Sequence, residues 1–180
     1  EKRELLSQKA SRLTLAPLDA AKLPEKGDLE GVPVRLVGEY HEPVLLLDNK
    51  VLNGKVGFEA HQLFLDNTGL FFLVNRGFVP MGRTREDQLK FPKVHDKPAD
   101  ILGRVYQPSS QILLLADQNQ TLAEFPIIVQ DIDVKKMIAA LGERVYPLVI
   151  RLEVEQLGSL PRYWPSTVMS PEKHKGYAIQ

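Results

Sequence analysis

The chain has 180 residues, 43% of them hydrophobic and 26% charged, with 23 basic residues balanced by 23 acidic ones. Those numbers fit one folded domain with its own core, and the missing basic surplus weighs against a nucleic-acid binder, whose phosphate contacts demand one. The absence of cysteine excludes disulfides, thiolate metal sites, iron–sulfur clusters and cysteine nucleophiles.

In chain order, residues 1–15 read as a helical segment that is helix-prone from Glu1, with no capping residue before it. Residues 16–31 carry two prolines and two glycines and read as a loop. Strands then dominate. Val34, Leu36 and Tyr40 alternate with Arg35, Val37 and Glu39, the pattern of a half-buried strand, and residues 44–52 form a second after Glu42-Pro43. Asn53-Gly54 tolerates the positive φ angles of a type I′ turn and predicts a hairpin into residues 55–65. Asn67-Thr68-Gly69 turns the chain again into residues 70–74, and Asn75-Arg76-Gly77-Phe78-Val79-Pro80 closes this block of three antiparallel strands.

Residues 81–98 have charges, prolines and no period, which predicts a long loop. Residues 100–106 are strand-like, and so are 124–129, where Pro126 marks an edge or a bulge. Asp133 caps one internal helix, because Val134, Met137, Ile138 and Leu141 fall on one face and Gly142 ends it. Residues 147–155 are the clearest strand, with Leu148, Ile150, Leu152 and Val154 on one face. Ser170-Pro171-Glu172 then announces a final helix as N-cap, first-turn proline and first-turn acid. Two helices cut short at the ends imply a longer parent chain.

The expected fold class is therefore mainly β (α+β). It is a small antiparallel β-barrel or strongly curved sheet, with one internal helix and truncated terminal helices. No apolar run approaches the ~20 residues needed to span a bilayer.

Catalytic motifs are missing: there is no nucleophile elbow, P-loop, dinucleotide fingerprint or zinc-protease helix. His41, His61, His95 and His174 are far apart, without metal-ligand spacing. Asp48, Glu59 and Asp66 fall in or beside the hairpins, where carboxylates form turns or face water. Two readings remain open from residues alone: a small-barrel module binding a ligand or an oligonucleotide, and a periplasmic hydrolase built from scattered carboxylates.

Three stretches together resemble the surfeit-locus family of cytochrome c oxidase assembly factors. They are Glu42-Pro43-Val44-Leu45-Leu46-Leu47-Asp48-Asn49-Lys50 running on through Glu59, then Leu73-Val74-Asn75-Arg76-Gly77-Phe78-Val79-Pro80, and Pro171-Glu172-Lys173-His174-Lys175-Gly176-Tyr177-Ala178-Ile179-Gln180. The resemblance implies a membrane protein with two transmembrane helices around a domain facing the periplasm of a bacterial inner membrane. Residues 1–15 would follow the first span, 16–169 form the periplasmic domain, and 170–180 begin the second span. It implies a non-enzymatic role in oxidase assembly, with an oxidase subunit and haem-biosynthesis or insertion factors as partners, no nucleic acid, and haem a as a transient cofactor in some bacterial members.

His174 matches the family histidine proposed as a haem ligand. A neutral imidazole suits haem iron, and the positive end of a helix dipole disfavours its protonation; the plain alternative is an interfacial histidine. Tyr177 lies at i+3 on the same helical face, as a pocket wall or as a membrane-interface anchor. Tyr163 and Trp164 invite the anchor reading too. Arg76 reads as the holder of a haem propionate or partner carboxylate, or else as an internal ion-pair residue beside a bulge at Gly77.

Overall fold

Asn53 and Gly54 adopt φ values of 52° and 77°, the left-handed pair that a tight hairpin needs. Around that turn the chain runs back and forth as β2 (Pro33–Leu52) and β3 (Lys55–Asp66), then turns again into β4 (Phe71–Pro80). The structure, a computed structural model, describes residues 15–82, 93–94, 97–107, 127–129, 144–162 and 164. The other strands are β1 (Leu18–Asp19), β5 (Pro98–Tyr106), β6 (Ile127–Val129) and β7 (Val145–Leu152), with a single 3-10 turn at Ala20–Lys22. The internal helix expected over residues 133–142 and both terminal helices lie outside the described residues.

Neighbouring strands run β2–β3–β4–β7–β5, and β5 pairs again with β2, from Pro33 opposite Arg104 to Glu39 opposite Pro98. The pairings thus close a circuit of five strands. An odd number cannot alternate direction all the way round, so one pair must be parallel. That pair is β4–β7, with Val74 opposite Ile150 and Asn75 opposite Arg151. The short strands β1 and β6 also pair parallel to β2. The sheet is mixed, which corrects the expectation of an antiparallel one.

Further local differences have equally plain causes. β2 is one strand of 20 residues where Pro43 had suggested two. Its register to β3 shifts between His41 and Val44, so the proline sits in an irregularity, where its missing N–H costs no ladder bond. β5 begins at Pro98, inside the stretch read as loop. β7 ends at Leu152 because the chain turns at Glu155, whose φ is 62°, leaving Val154 exposed and not in line with Leu148, Ile150 and Leu152.

Inside the circuit lies the apolar core: Val34, Leu36, Tyr40, Phe64, Phe72, Val74, Ile101, Val105, Tyr146, Leu148, Ile150 and Leu152, closed over by Leu23, Leu29 and Val32. Each such side chain contributes about 2 kcal/mol on burial. Tyr146 anchors the covering segment by donating its hydroxyl to the Pro24 carbonyl at 2.7 Å. A smaller cluster of Val44, Leu46, Phe58, Ala60 and Val79 packs with Leu160.

Gly77 has no room for a side chain. Its φ is 127°, and a Cβ there would lie 2.8 Å from the carbonyl oxygens of both Leu160 and Pro161. We expect Gly77→Ala to lower unfolding stability by about 2–3 kcal/mol, measured as a fall in the urea midpoint at unchanged slope.

Candidate functional site

Opposite Gly77 and Asn75 on β4 stand Ala60 and His61 on β3, so Arg76 is an extra residue in the ladder. A bulge of this kind redirects side chains. Asn75 stabilises it by accepting the Gly77 N–H at its Oδ1, 3.0 Å away. The three residues Asn75-Arg76-Gly77 therefore have three separate jobs.

Arg76 follows Phe72 and Val74 on the core side and is the largest fully buried side chain among those described. Its Nε donates to the Gly158 carbonyl and its Nη1 to Gln62 Oε1, both at 2.8 Å. The Tyr40 ring lies 5.8 Å from the guanidinium carbon, while the Tyr40 hydroxyl donates to the Leu157 carbonyl at 2.8 Å. Burial strips water from the guanidinium and lowers its pKa, with attraction to Tyr40 opposing that shift. Two backbone bonds complete the arrangement, Leu160 N–H to the Arg76 carbonyl and Phe78 N–H to the Pro161 carbonyl. Residues 157–161 are thus strapped along the half of β4 that β7 does not reach.

On the other side of the same strands lies a buried polar group. Glu59 Oε1 accepts from Asn75 Nδ2 at 2.7 Å and faces His61 Nε2 at 3.1 Å. Lys50 Nζ stands 3.9 Å from Glu59 Oε2. His61, Asn75, Arg151 and Arg104 occupy one cross-strand row through β3, β4, β7 and β5. The Arg151 guanidinium lies 3.6 Å from the Tyr106 ring centre and 5.0 Å from that of Trp164. Among the described residues, Glu59 Oε2, His61 Nδ1 and Arg151 Nε are buried with no hydrogen-bond partner. Buried polar atoms are rarely left so, which makes this row the candidate binding surface.

Burial alone would push the Glu59 carboxyl up. The charge and hydrogen bond of His61, with Lys50 and Arg151 behind them, outweigh it and hold the pKa below the ordinary value. Glu59 is therefore ionised and buried, not the water-facing strand residue expected from its neighbourhood. Asp66 does form a turn as expected, accepting from Val37 N–H and Thr68 N–H. It borders an open cleft of about 560 Å³ in which Asp100 is occupied by Arg35.

Of the site residues read from the sequence, only Arg76 lies within the described structure; His174 and Tyr177 lie outside it. From the sequence, Glu59 and His61 are read separately and not as a pair, and Tyr106 and Arg151 have no role in a site. The available signal was a carboxylate and an imidazole at i and i+2 in the middle of β3, interleaved with Phe58 and Ala60 and followed closely by Leu63 and Phe64. No group of three histidine, cysteine or acidic side chains able to hold a metal occurs among the described residues, and none of their helices is long and apolar enough to cross a membrane.

The sequence profile of the SURF1 family matches residues 1–180, the whole chain. The chain belongs to the SURF1 family. That family is associated with assembly of cytochrome c oxidase. No curated protein matches the chain.

Two outcomes test this geometry. Arg76→Met leaves the Gly158 carbonyl and Gln62 Oε1 without their donors and should cost about 3 kcal/mol in denaturant unfolding. Glu59 has a lowered folded pKa, so as the pH falls the unfolded chain takes up the proton first. Its contribution is present above the ordinary carboxylate pKa and is lost on acidification. The stability gap between wild type and Glu59→Gln should accordingly shrink between about pH 6 and about pH 3.

Proposed function

We propose that this SURF1-family chain is an oxidase assembly factor that works by holding and positioning, with no bond-making chemistry of its own. The observation that carries this reading is the family match along the full chain. The strap over Arg76 supports it, because it is a rigid seat just ahead of the segment that bears the family's C-terminal motif. In this reading the closed circuit of strands is a small barrel that serves as the rigid body of the factor.

The strap ends at Pro161, the Trp164 ring centre lies 5.0 Å from the Arg151 guanidinium carbon, and residues 165–180 follow. His174 is our candidate axial ligand for haem a, with Tyr177 three residues further along the sequence as a second candidate contact. Arg76 acts as a positioning residue in this scheme. An external propionate would have to displace Gly158 or Gln62 from it, whereas its present bonds fix the strap directly. The partners would be an oxidase subunit and the factors that make or insert haem a. The setting would be the periplasmic side of a bacterial inner membrane.

The experiment is genetic and spectroscopic. Deleting the gene should abolish the haem a band of the oxidase in membranes and most oxidase activity, and the wild-type gene should restore both. The protein purified in detergent from a host that makes haem a should show a haem a spectrum that His174→Ala loses. Full oxidase assembly in the deletion strain would overturn the assembly role. Haem retained by His174→Ala would move the ligand elsewhere.

A further inference from the structure

Arg151 is a cation whose own neighbourhood leaves it incomplete. It sits on β7 with its Nε shut off from solvent and unbonded among the described residues, although the residue as a whole is partly exposed. No described carboxylate reaches it at ion-pairing distance. Glu59 and Glu30 act on it only through longer-range attraction, too weakly to offset the burial that lowers its pKa.

What the neighbourhood supplies is rigidity and more positive charge. Tyr106, Arg151, Trp164 and Arg162 form an alternating series of rings and guanidinium groups, with separations of 3.6, 5.0 and 5.9 Å. Such stacking holds a guanidinium plane while leaving its hydrogen-bonding edge unused. Arg104, directly across the ladder from Arg151, and Arg162 both lean on the same carboxylate, Glu153, at 2.8 and 3.5 Å. Two further guanidinium groups thus stand close to Arg151 and its two aromatic rings.

We propose that Arg151, held between Tyr106 and Trp164, is the receptor for an oxyanion carried on an apolar body. A carboxylate or phosphate meets the donor edge of the guanidinium, and the apolar body lies against the rings. Two sources carry this chemistry: the carboxylates of a porphyrin and the phosphate of an anionic lipid. The porphyrin source rests on the haem reading given above; the lipid source does not.

Trp164 is the only tryptophan of the chain, so its fluorescence reports on this place alone. The full protein is titrated with haemin, with haemin dimethyl ester, and with phosphatidylglycerol or phosphatidylcholine vesicles, as wild type, Arg151→Gln and Arg151→Lys. The wild type should respond to haemin or to phosphatidylglycerol, and bind the ester or phosphatidylcholine at least about 10-fold more weakly. Arg151→Gln should weaken binding of the anionic form by about 10-fold or more. Arg151→Lys keeps the charge without the fork and should fall between them; it also serves if the glutamine variant fails to fold. Equal binding of haemin and its ester, unaffected by either variant, keeps the haem reading and overturns the oxyanion site. Response to phosphatidylglycerol without haemin assigns the lipid source and counts against the haem reading. No response to any anionic form overturns the proposal.

Discussion

A guanidinium with no surface in water has to find its acceptors inside the protein, and Arg76 makes that demand at the point where the sheet changes neighbour. β7 accompanies β4 only as far as Asn75. Beyond it the ladder would present a bare edge, which sheets ordinarily cover. The bulge turns Arg76 inward, its side chain takes the Gly158 carbonyl, and its own carbonyl takes the Leu160 N–H. One residue therefore bonds the strap from both its side chain and its backbone. Removing it would leave an edge, two acceptors and a strap without partners together.

The circuit of strands explains why such a device is needed. With five members and one parallel pair, the circuit joins elements far apart in sequence, and no hairpin fixes the β4–β7 register. Something else must. Side chains on both faces do so: Val74 and Ile150 within the core, and Asn75 and Arg151 across the outer row. A one-residue slip of β7 would exchange its two faces and turn Arg151 into the apolar core in place of Ile150, at a cost far above that of any single contact.

Much of the β architecture was legible because it is local. Asn53-Gly54 specifies its turn from two residues, and the alternation of Leu148, Ile150 and Leu152 marks the core face of β7 without reference to anything else. Pro43 misled because a bulge can absorb a proline inside a long strand, and a bulge depends on the partner strand. The parallel pair was invisible for the same reason: strand direction in a closed circuit follows from a count of all the members. At the candidate site, Arg76 and Gly77 were flagged by type, but the sequence did not say which acceptors would surround the arginine. Glu59 and His61 look like ordinary strand-face polar residues until both faces of β3 prove to be buried. That burial arises from segments remote in the chain, which no window of β3 contains. His174 and Tyr177 rest on the family motif alone.

The two polar constructions on β4 differ in what they leave undone. On the core side, Arg76 is bonded to Gln62 and to the strap, and its surroundings account for it. On the outer side, Glu59 has one oxygen saturated and the other not, His61 has one ring nitrogen engaged and the other not, and Arg151 is stacked but not hydrogen-bonded there. A fold can carry an isolated orphan of this kind. Three on one side of the sheet, two on β3 and one on β7 with β4 between them, among described residues whose other buried side-chain polar atoms are paired, point to a surface shaped for something besides its own stability. Trp164 ties that surface to the end of the strap that Arg76 holds, so the structural lock and the candidate binding row act on the same stretch of chain, the one leading into residues 165–180.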